Sequence, residues 1–461
     1  MCSFRTLLLL SALSIMSSPA LANGRFPKSV SVHLQPGNGQ SILLATTFGL
    51  LVSRDAGGSW AWICEEAVGY GGSYDPDYAV AADGAIFATT FTGLRVSRDG
   101  GCTWNAAGGL SEQEYFVEVE LAADGSVWAA TASAGMPNHV YVSTDNGRSF
   151  SPRDTGLPDI WWRSLRVAPS DVQRAYLSGY RVADAQADAG ASPPQAAVFR
   201  TDDGGGSWSE VDVSSLEMGA EPWLMVEAVE PRNPDIVYLR SQAAHQSQGD
   251  IVYRADIGTG SFAEVLRTRD QVRAFAIRKS GELVVGALID GVHRSSDRGA
   301  NWEHSGSPEM CCVAETEQGQ LYACGANWAP DNFALGISDD GVSWQKVMTF
   351  AEVGSAHACP SGTLQSDLCA VARWPGICKS FACSEATEPP VSHPPVGVED
   401  SSGCSLGRAS RVGGAPALLL ACLLVGVALA ARRRGYAKSV FSVPNQRPRR
   451  VRRWRGRRGA A

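Results

Sequence analysis

The sequence predicts an all-β protein: a single β-propeller of seven four-stranded blades, with eight as the alternative, followed by one C-terminal transmembrane helix. Three observations predict it. A short box recurs along the chain, each copy closes a unit of β-rich runs, and the copies are spaced as propeller blades are. The box reads S/T-x-D-x-G-x-x-W/F. It occurs as Ser53 to Trp60, Ser97 to Trp104, Ser143 to Phe150, Thr201 to Trp208 and Ser295 to Trp302. Two weaker copies complete the set. Asp339-x-Gly341-x-x-Trp344 lacks the leading hydroxyl, and Asp256-x-Gly258 reaches Phe262 with one residue too many. Successive box aromatics lie 40 to 58 residues apart.

The chemistry of the box is that of a turn. An Asp carboxylate accepts hydrogen bonds from the backbone N–H groups of its own loop. Gly supplies a positive φ at no steric cost. The aromatic residue drops back into the apolar layer. Asp55, Asp99, Asp145, Asp203, Asp297 and Asp339 are therefore read as structural. Each box follows a short β run such as Gly93-Leu94-Arg95-Val96, so it connects the third and fourth strands of a unit. The first two strands are seen in Tyr78 to Thr90, where Asp83-Gly84 makes the turn, and again in Val117 to Thr131 with Asp124-Gly125.

These boxes make the chain resemble the Asp-box (BNR) β-propellers: sialidases, sortilin-type domains, xyloglucanases and related extracellular proteins. The resemblance implies that the box lies away from the ligand site.

Both ends carry export signals. Arg5 precedes the apolar run Leu7 to Leu13, and Ala20-Leu21-Ala22 has the form of a cleavage site, so residues 1–22 read as a signal peptide. Residues 23–350 are the propeller. Residues 351–383 are rich in Cys and read as a cap over the ring closure or an incomplete eighth blade, with Ala356 to Cys359, Leu368 to Val371 and Gly376 to Lys379 imitating three strands. Residues 384–403 are a stiff Pro-rich linker. Within residues 404–434, the segment 415–431 is apolar throughout and is followed by Arg432-Arg433-Arg434, as expected of a membrane span with a cytoplasmic basic flank. Residues 435–461 form a basic tail. Gly403-Cys404, a short spacer, one apolar helix and an Arg cluster together resemble the MYXO-CTERM sorting signal of myxobacterial surface proteins. That resemblance implies processing and anchoring at Cys404. The tail departs from it, since such signals usually stop soon after the Arg cluster. The chain is expected to be exported and held at the cell envelope or surface.

Charge separates the exported part from the tail. The net charge is −7, yet twelve Lys and Arg lie from Arg432 onward and no Asp or Glu follows Asp400. The exported part is strongly acidic, which argues against nucleic-acid binding. Nine cysteines lie between the signal and Cys404, and an oxidising compartment makes disulfides the expectation. Cys312 with Cys324 and Cys359 with Cys369 are the expected pairs, and the odd count leaves at least one Cys over. Zinc at the last four cysteines lacks paired C-x-x-C spacing.

Loops between the second and third strands, together with the links between blades, share one face, and the long insertions are all there. Function usually lives in such loops on a rigid scaffold. Aromatics cluster in or beside them, and Tyr115, Trp161, Trp162, Arg163, Trp223 and Trp328 are the candidate binding residues. Adjacent residues of a strand point opposite ways, so one of Trp161 and Trp162 faces inward. Sialidase chemistry requires a Tyr–Glu pair, an Asp and three Arg gripping a carboxylate. The Arg-Ile-Pro motif is absent, Gly24-Arg25-Phe26-Pro27 is only a faint match, and Arg163, Arg166 and Arg273 are the available arginines. No catalytic residue, metal set or cofactor is expected. The reading is a non-catalytic surface propeller that binds a glycan or protein partner through its long-loop face. The alternatives are a sialidase-like glycoside hydrolase and an envelope assembly or stability factor.

Overall fold

A computed structural model describes residues 25–383, apart from 135, 155–156, 159, 182–193, 219–222 and 244–248. The signal peptide, linker, Cys404, the apolar span 415–431 and the tail lie outside the described residues. Among the described residues, no helix is long and apolar enough to cross a membrane.

Seven antiparallel sheets form the ring. Their first strands are Ser29–Leu34, Tyr78–Val80, Phe116–Leu121, Trp161–Ala168, Leu224–Val229, Val272–Ile277 and Cys312–Glu315. Each of these packs on the next, and the seventh packs on the first, so they are the inner ring of a closed seven-bladed propeller. Closure leaves few unpaired edges. The second strands lie between neighbouring blades and are buried along their whole length, as in Ile42–Thr46, Ile86–Thr90, Val127–Thr131 and Leu283–Ala287. This is why they read as continuous apolar runs with no alternation. Each buried apolar side chain contributes roughly 1.5–3 kcal/mol.

The box loops repeat one hydrogen-bond pattern between the third and fourth strands. Asp203 is representative. Its Oδ1 accepts from Thr201 Oγ1 at 2.8 Å and from Ser207 N at 2.8 Å, its Oδ2 accepts from Ser207 Oγ at 2.7 Å, and Gly205 N donates to Thr201 Oγ1 at 2.9 Å. Asp55, Asp99, Asp145 and Asp297 do the same in their own loops. The box glycine has a second duty. Gly101 has φ +106°, and a Cβ on it would lie 2.3 Å from Ile63 of the preceding blade; one on Gly147 would lie 2.3 Å from Phe87. The loop tip therefore docks against the neighbouring blade at a distance only Gly allows.

The last box corrects the reading of Asp339. Asp340 holds the loop, accepting from Ser338 Oγ at 3.0 Å and from Val342 N and Ser343 N at 2.8 Å. This loop is one residue shorter, so Ser338 supplies the leading hydroxyl and Gly341 follows the Asp directly. Asp339 instead accepts from Gln320 Nε2 at 2.9 Å. In blade 5, the hairpin at Asp256 has no box glycine against its neighbour; Thr259 N donates to Asp256 Oδ1 at 3.1 Å.

Residues 350–383 are a helical latch, which removes the eighth-blade alternative. Phe350–Glu352 is a short 3₁₀ turn, and Ser355–Ala356 adds a parallel fifth strand to blade 1 beside Ala61 and Trp62. Gln365–Arg373 is a π-helical stretch that runs into the helix Trp374–Phe381. The strands expected at Leu368 to Val371 and Gly376 to Lys379 are thus helical. Trp374, Ile377 and Phe381 recur at helical spacing and pack on the core of blades 1 and 7. Pro375 suits the first helical turn. The Gln365 amide, fully buried, donates to Trp62 O at 2.8 Å and accepts from Cys64 N at 3.1 Å.

Cys312–Cys324 links the inner two strands of blade 7 as expected, but Cys359–Cys369 does not form. Cys359 pairs with Cys102 in the blade 2 box, and Cys369 pairs with Cys64 at the end of blade 1. Local proximity favoured the wrong pair because Cys359 lies ahead of the helical segment and Cys369 within it, each turned to a different blade. Cys311, Cys378 and Cys383 are free thiols.

Candidate functional site on the long-loop face

Large hydrophobic side chains left exposed are concentrated on one face. Among the described residues, Phe26 lies just ahead of the first strand, and Phe91, Met136, Ile289 and Trp328 lie in loops between second and third strands. On the box loops the corresponding set is Val342 alone, and Leu364 and Val371 lie on the latch.

The aromatics form two groups on that face. At blades 2 and 3, Phe91 stacks on Tyr115 with centroids 4.6 Å apart, and Tyr74 packs against both at 4.5 and 5.8 Å. Tyr74 is fixed from below, with its hydroxyl 2.8 Å from Thr89 Oγ1 and donating to Phe116 O at 3.3 Å. Burial pushes the Tyr74 and Tyr115 phenols upward, so both stay neutral. Phe91 is 58 % exposed and caps the group. At blade 7, Trp328 is 46 % exposed and lies 5.2 Å from Phe26 and 6.4 Å from Phe350. The chain joins the groups, since Arg25 donates to Tyr74 O at 3.2 Å and pairs with Asp75.

Of the sequence candidates, Tyr115 and Trp328 hold these two positions. Arg163 lies over the Trp223 ring at 5.2 Å, so these two form a cation–π pair between blades 4 and 5. Trp161 starts the inner strand of blade 4, is half-buried and faces Tyr180 at 6.0 Å. Trp162 is corrected. It is fully buried between blades 3 and 4 and meets Phe199 edge-on at 5.7 Å, so it offers no surface to a ligand. Phe91 and Phe26 were missed because a lone Phe in a short turn carries no periodic signal.

The inner ring beneath this face is charged. Arg166 pairs with Glu118 and lies 3.7 Å from Glu120, and its Nε donates to Glu227 O at 3.1 Å. Arg240 pairs with Glu227 and with Asp250, the latter at 3.0 Å. Burial pushes the Glu118 and Asp77 carboxyls up, and pushes Glu120 up to about 7. Glu120 keeps 26 % of its side-chain surface open, so solvent tempers that shift. Arg166 is committed to these carboxylates and is not available to grip the carboxylate of a substrate.

No protein-family model and no curated protein matches this chain. Its similarity to solved structures is one of fold. The extracellular domain of a putative one-component system, BT4673, from B. thetaiotaomicron aligns at 15 % identity with a TM-score of 0.47, covering 68 % of this chain and 39 % of that one. YCF48 from Cyanidioschyzon merolae aligns at 13 % identity with a TM-score of 0.45, covering 65 % and 93 %. The GH74 enzyme of Niastella koreensis aligns at 14 % identity with a TM-score of 0.32, covering 72 % and 66 %. The chain thus spans about two fifths of the BT4673 domain.

Proposed function

We propose that this chain is an exported, envelope-associated propeller that binds a glycan or a protein partner through its long-loop face, without catalysis. The observation that carries this reading is the segregation of exposed apolar side chains to that face, Phe91 on Tyr115 and Phe26 beside Trp328 above all. Flat rings beside polar groups suit the faces of sugar rings and the apolar side chains of peptides. The loops are set on a ring whose strands cannot shift independently, so the aromatics are positioned before binding and little ordering cost remains. Anchoring by the segment 415–431 and processing at Cys404 belong to the same proposal, as does the signal peptide over residues 1–22. The test is binding of the full chain, purified in detergent, to immobilised bacterial polysaccharides and to a cell-envelope protein fraction. A saturable signal that the double substitution Phe91→Ser, Tyr115→Ala removes supports the face. Binding that survives it refutes the assignment.

A second reading, a sialidase-like glycoside hydrolase, is favoured by one observation. Burial pushes the Glu120 carboxyl up to about 7, toward the range suited to a general acid. Turnover of a fluorogenic glycoside that Glu120→Gln abolishes supports that reading. Absence of turnover with such substrates, alongside binding, excludes it.

A further inference from the structure

The hairpin of blade 6 sets two imidazoles and a carboxylate together at the rim of the long-loop face. His293, in the strand Gly291–Ser295, is directly opposite His304, in Glu303–Ser305. Directly opposed side chains of a sheet are within contact. Here the rings stack with centroids 4.5 Å apart. Asp290 closes the turn before His293. Its Oδ2 is 3.0 Å from His293 Nε2, and its Oδ1 is 3.6 Å from His304 Nε2. All three ligand atoms lie within 4.8 Å of one another.

We propose that Asp290, His293 and His304 bind a divalent transition ion, Zn²⁺ by preference, through one carboxylate oxygen and the two Nε2 atoms. Two imidazoles and a carboxylate are a donor set of borderline softness that suits zinc over calcium or magnesium. Tetrahedral zinc with bonds of about 2.0–2.1 Å separates its ligand atoms by about 3.3 Å. The observed N···O distances, 3.0 Å to Oδ2 from His293 and 3.6 Å to Oδ1 from His304, lie close to that value. Asp290 and His293 are buried, while His304 is partly exposed and leaves one coordination position facing solvent.

The surroundings fix the carboxylate. Arg269 N donates to Asp290 Oδ2 at 3.0 Å, and Asp290 N donates to Asp270 Oδ1 at 2.9 Å. Such outer contacts orient metal ligands. Arg269 Nε also donates to Asp290 Oδ1 at 2.5 Å, but this side chain is 76 % exposed and can swing into solvent when the ion enters. Without metal, both Nε2 atoms serve as donors, His293 to the carboxylate and His304 to Asp290 O at 2.5 Å. Binding requires each ring to present an unprotonated Nε2, which a shift of the proton to Nδ1 provides. The sequence hid this set because its members lie in no recognised metal spacing. Only the strand register makes His293 and His304 neighbours.

The test uses the full chain in detergent, without a polyhistidine tag, treated with chelator and kept non-reducing so that Cys64, Cys102, Cys359 and Cys369 remain disulfide-bonded. Calorimetric titration with Zn²⁺ is expected to show one site per chain. His304→Ala, at a partly exposed position, weakens it at least roughly 100-fold. Thermal unfolding of the metal-free variant checks that the fold is kept. Titration with Co²⁺ is expected to give visible d–d bands without a near-ultraviolet thiolate band, which separates this site from the free thiols. Absence of Zn²⁺ binding, equal binding by wild type and His304→Ala, or a thiolate band would each overturn the assignment.

Discussion

Six loops on one face of the ring hold an Asp between a leading hydroxyl and backbone N–H groups, each with a glycine pressed toward the preceding blade. On the opposite face the loops vary in length, and that is where Phe26, Phe91, Met136, Ile289 and Trp328 stand exposed. A repeat that is satisfied within itself has nothing left to offer a ligand. Its carboxylate is consumed by its own loop, and its aromatic packs at the seam with the preceding blade. Irregular loops on the same scaffold retain apolar surface that nothing in the described chain covers. The contrast separates the residues that serve the ring from those it leaves exposed.

The largest expected effect lies just beneath the long-loop face. Trp162→Ala empties a fully buried site between blades and should cost about 3–5 kcal/mol of stability, read from the denaturant midpoint. Trp161→Ala, one residue away, should leave stability within about 1 kcal/mol. Equal losses would contradict the inward and outward assignment of this pair.

Gly101→Ala probes the box face. The new Cβ meets Ile63 at 2.3 Å on a backbone with φ +106°, so a loss of about 1–3 kcal/mol is expected. Gly109→Ala, also at positive φ but with nothing within 4 Å, carries only the backbone part of that cost. If the two lose the same amount, the docking of box glycines on the preceding blade is not what holds the loop.

The box and the inner ring should respond to pH with opposite sign. Hydrogen bonds from Ser207 and Thr201 hold Asp203 at about 2, below the ordinary carboxyl value. Its contribution is present above about 3.9 and is lost as pH falls through about 2. Asp203→Asn should therefore differ from wild type in melting temperature at pH 6 and converge with it near pH 2. Glu120, raised to about 7, favours the folded state while protonated. That contribution is full below about 4.3 and is lost as pH rises through about 7. Glu120→Gln should flatten the decline over that window and raise the melting temperature at pH 8.

The smallest stability effect, with the largest functional one, belongs to Phe91→Ser. An exposed cap over Tyr115 should change stability by no more than about 0.5 kcal/mol while weakening partner binding.

Much of the ring was legible because a repeated loop announces itself. The Asp, the Gly and the aromatic of the box each answer to local chemistry, and local chemistry is what a sequence displays. Asp340 was misassigned as Asp339 because the last loop drops a residue. The latch was misread for a different reason. Leu368 to Val371 and Gly376 to Lys379 are short apolar runs, and such runs do not distinguish helix from strand. The disulfides from Cys64 and Cys102 span 305 and 257 residues, so only the closed ring reveals them. On the long-loop face, Tyr115 and Trp328 lie where loop position places them, whereas Trp162 is not separable from Trp161 without the register. The blade 6 cluster depends on that same kind of information, the pairing of His293 with His304.

The central claim is that partners engage the long-loop face and leave the box face untouched. Backbone hydrogen exchange of the full chain, with and without a solubilised cell-envelope fraction, tests it directly. The account predicts added protection at Phe91 to Gly93, Tyr115 to Phe116 and Ala326 to Phe333, with the loops at Asp55, Asp145, Asp203 and Asp297 unchanged. Protection at those box loops without protection at Phe91 or Trp328 would contradict it.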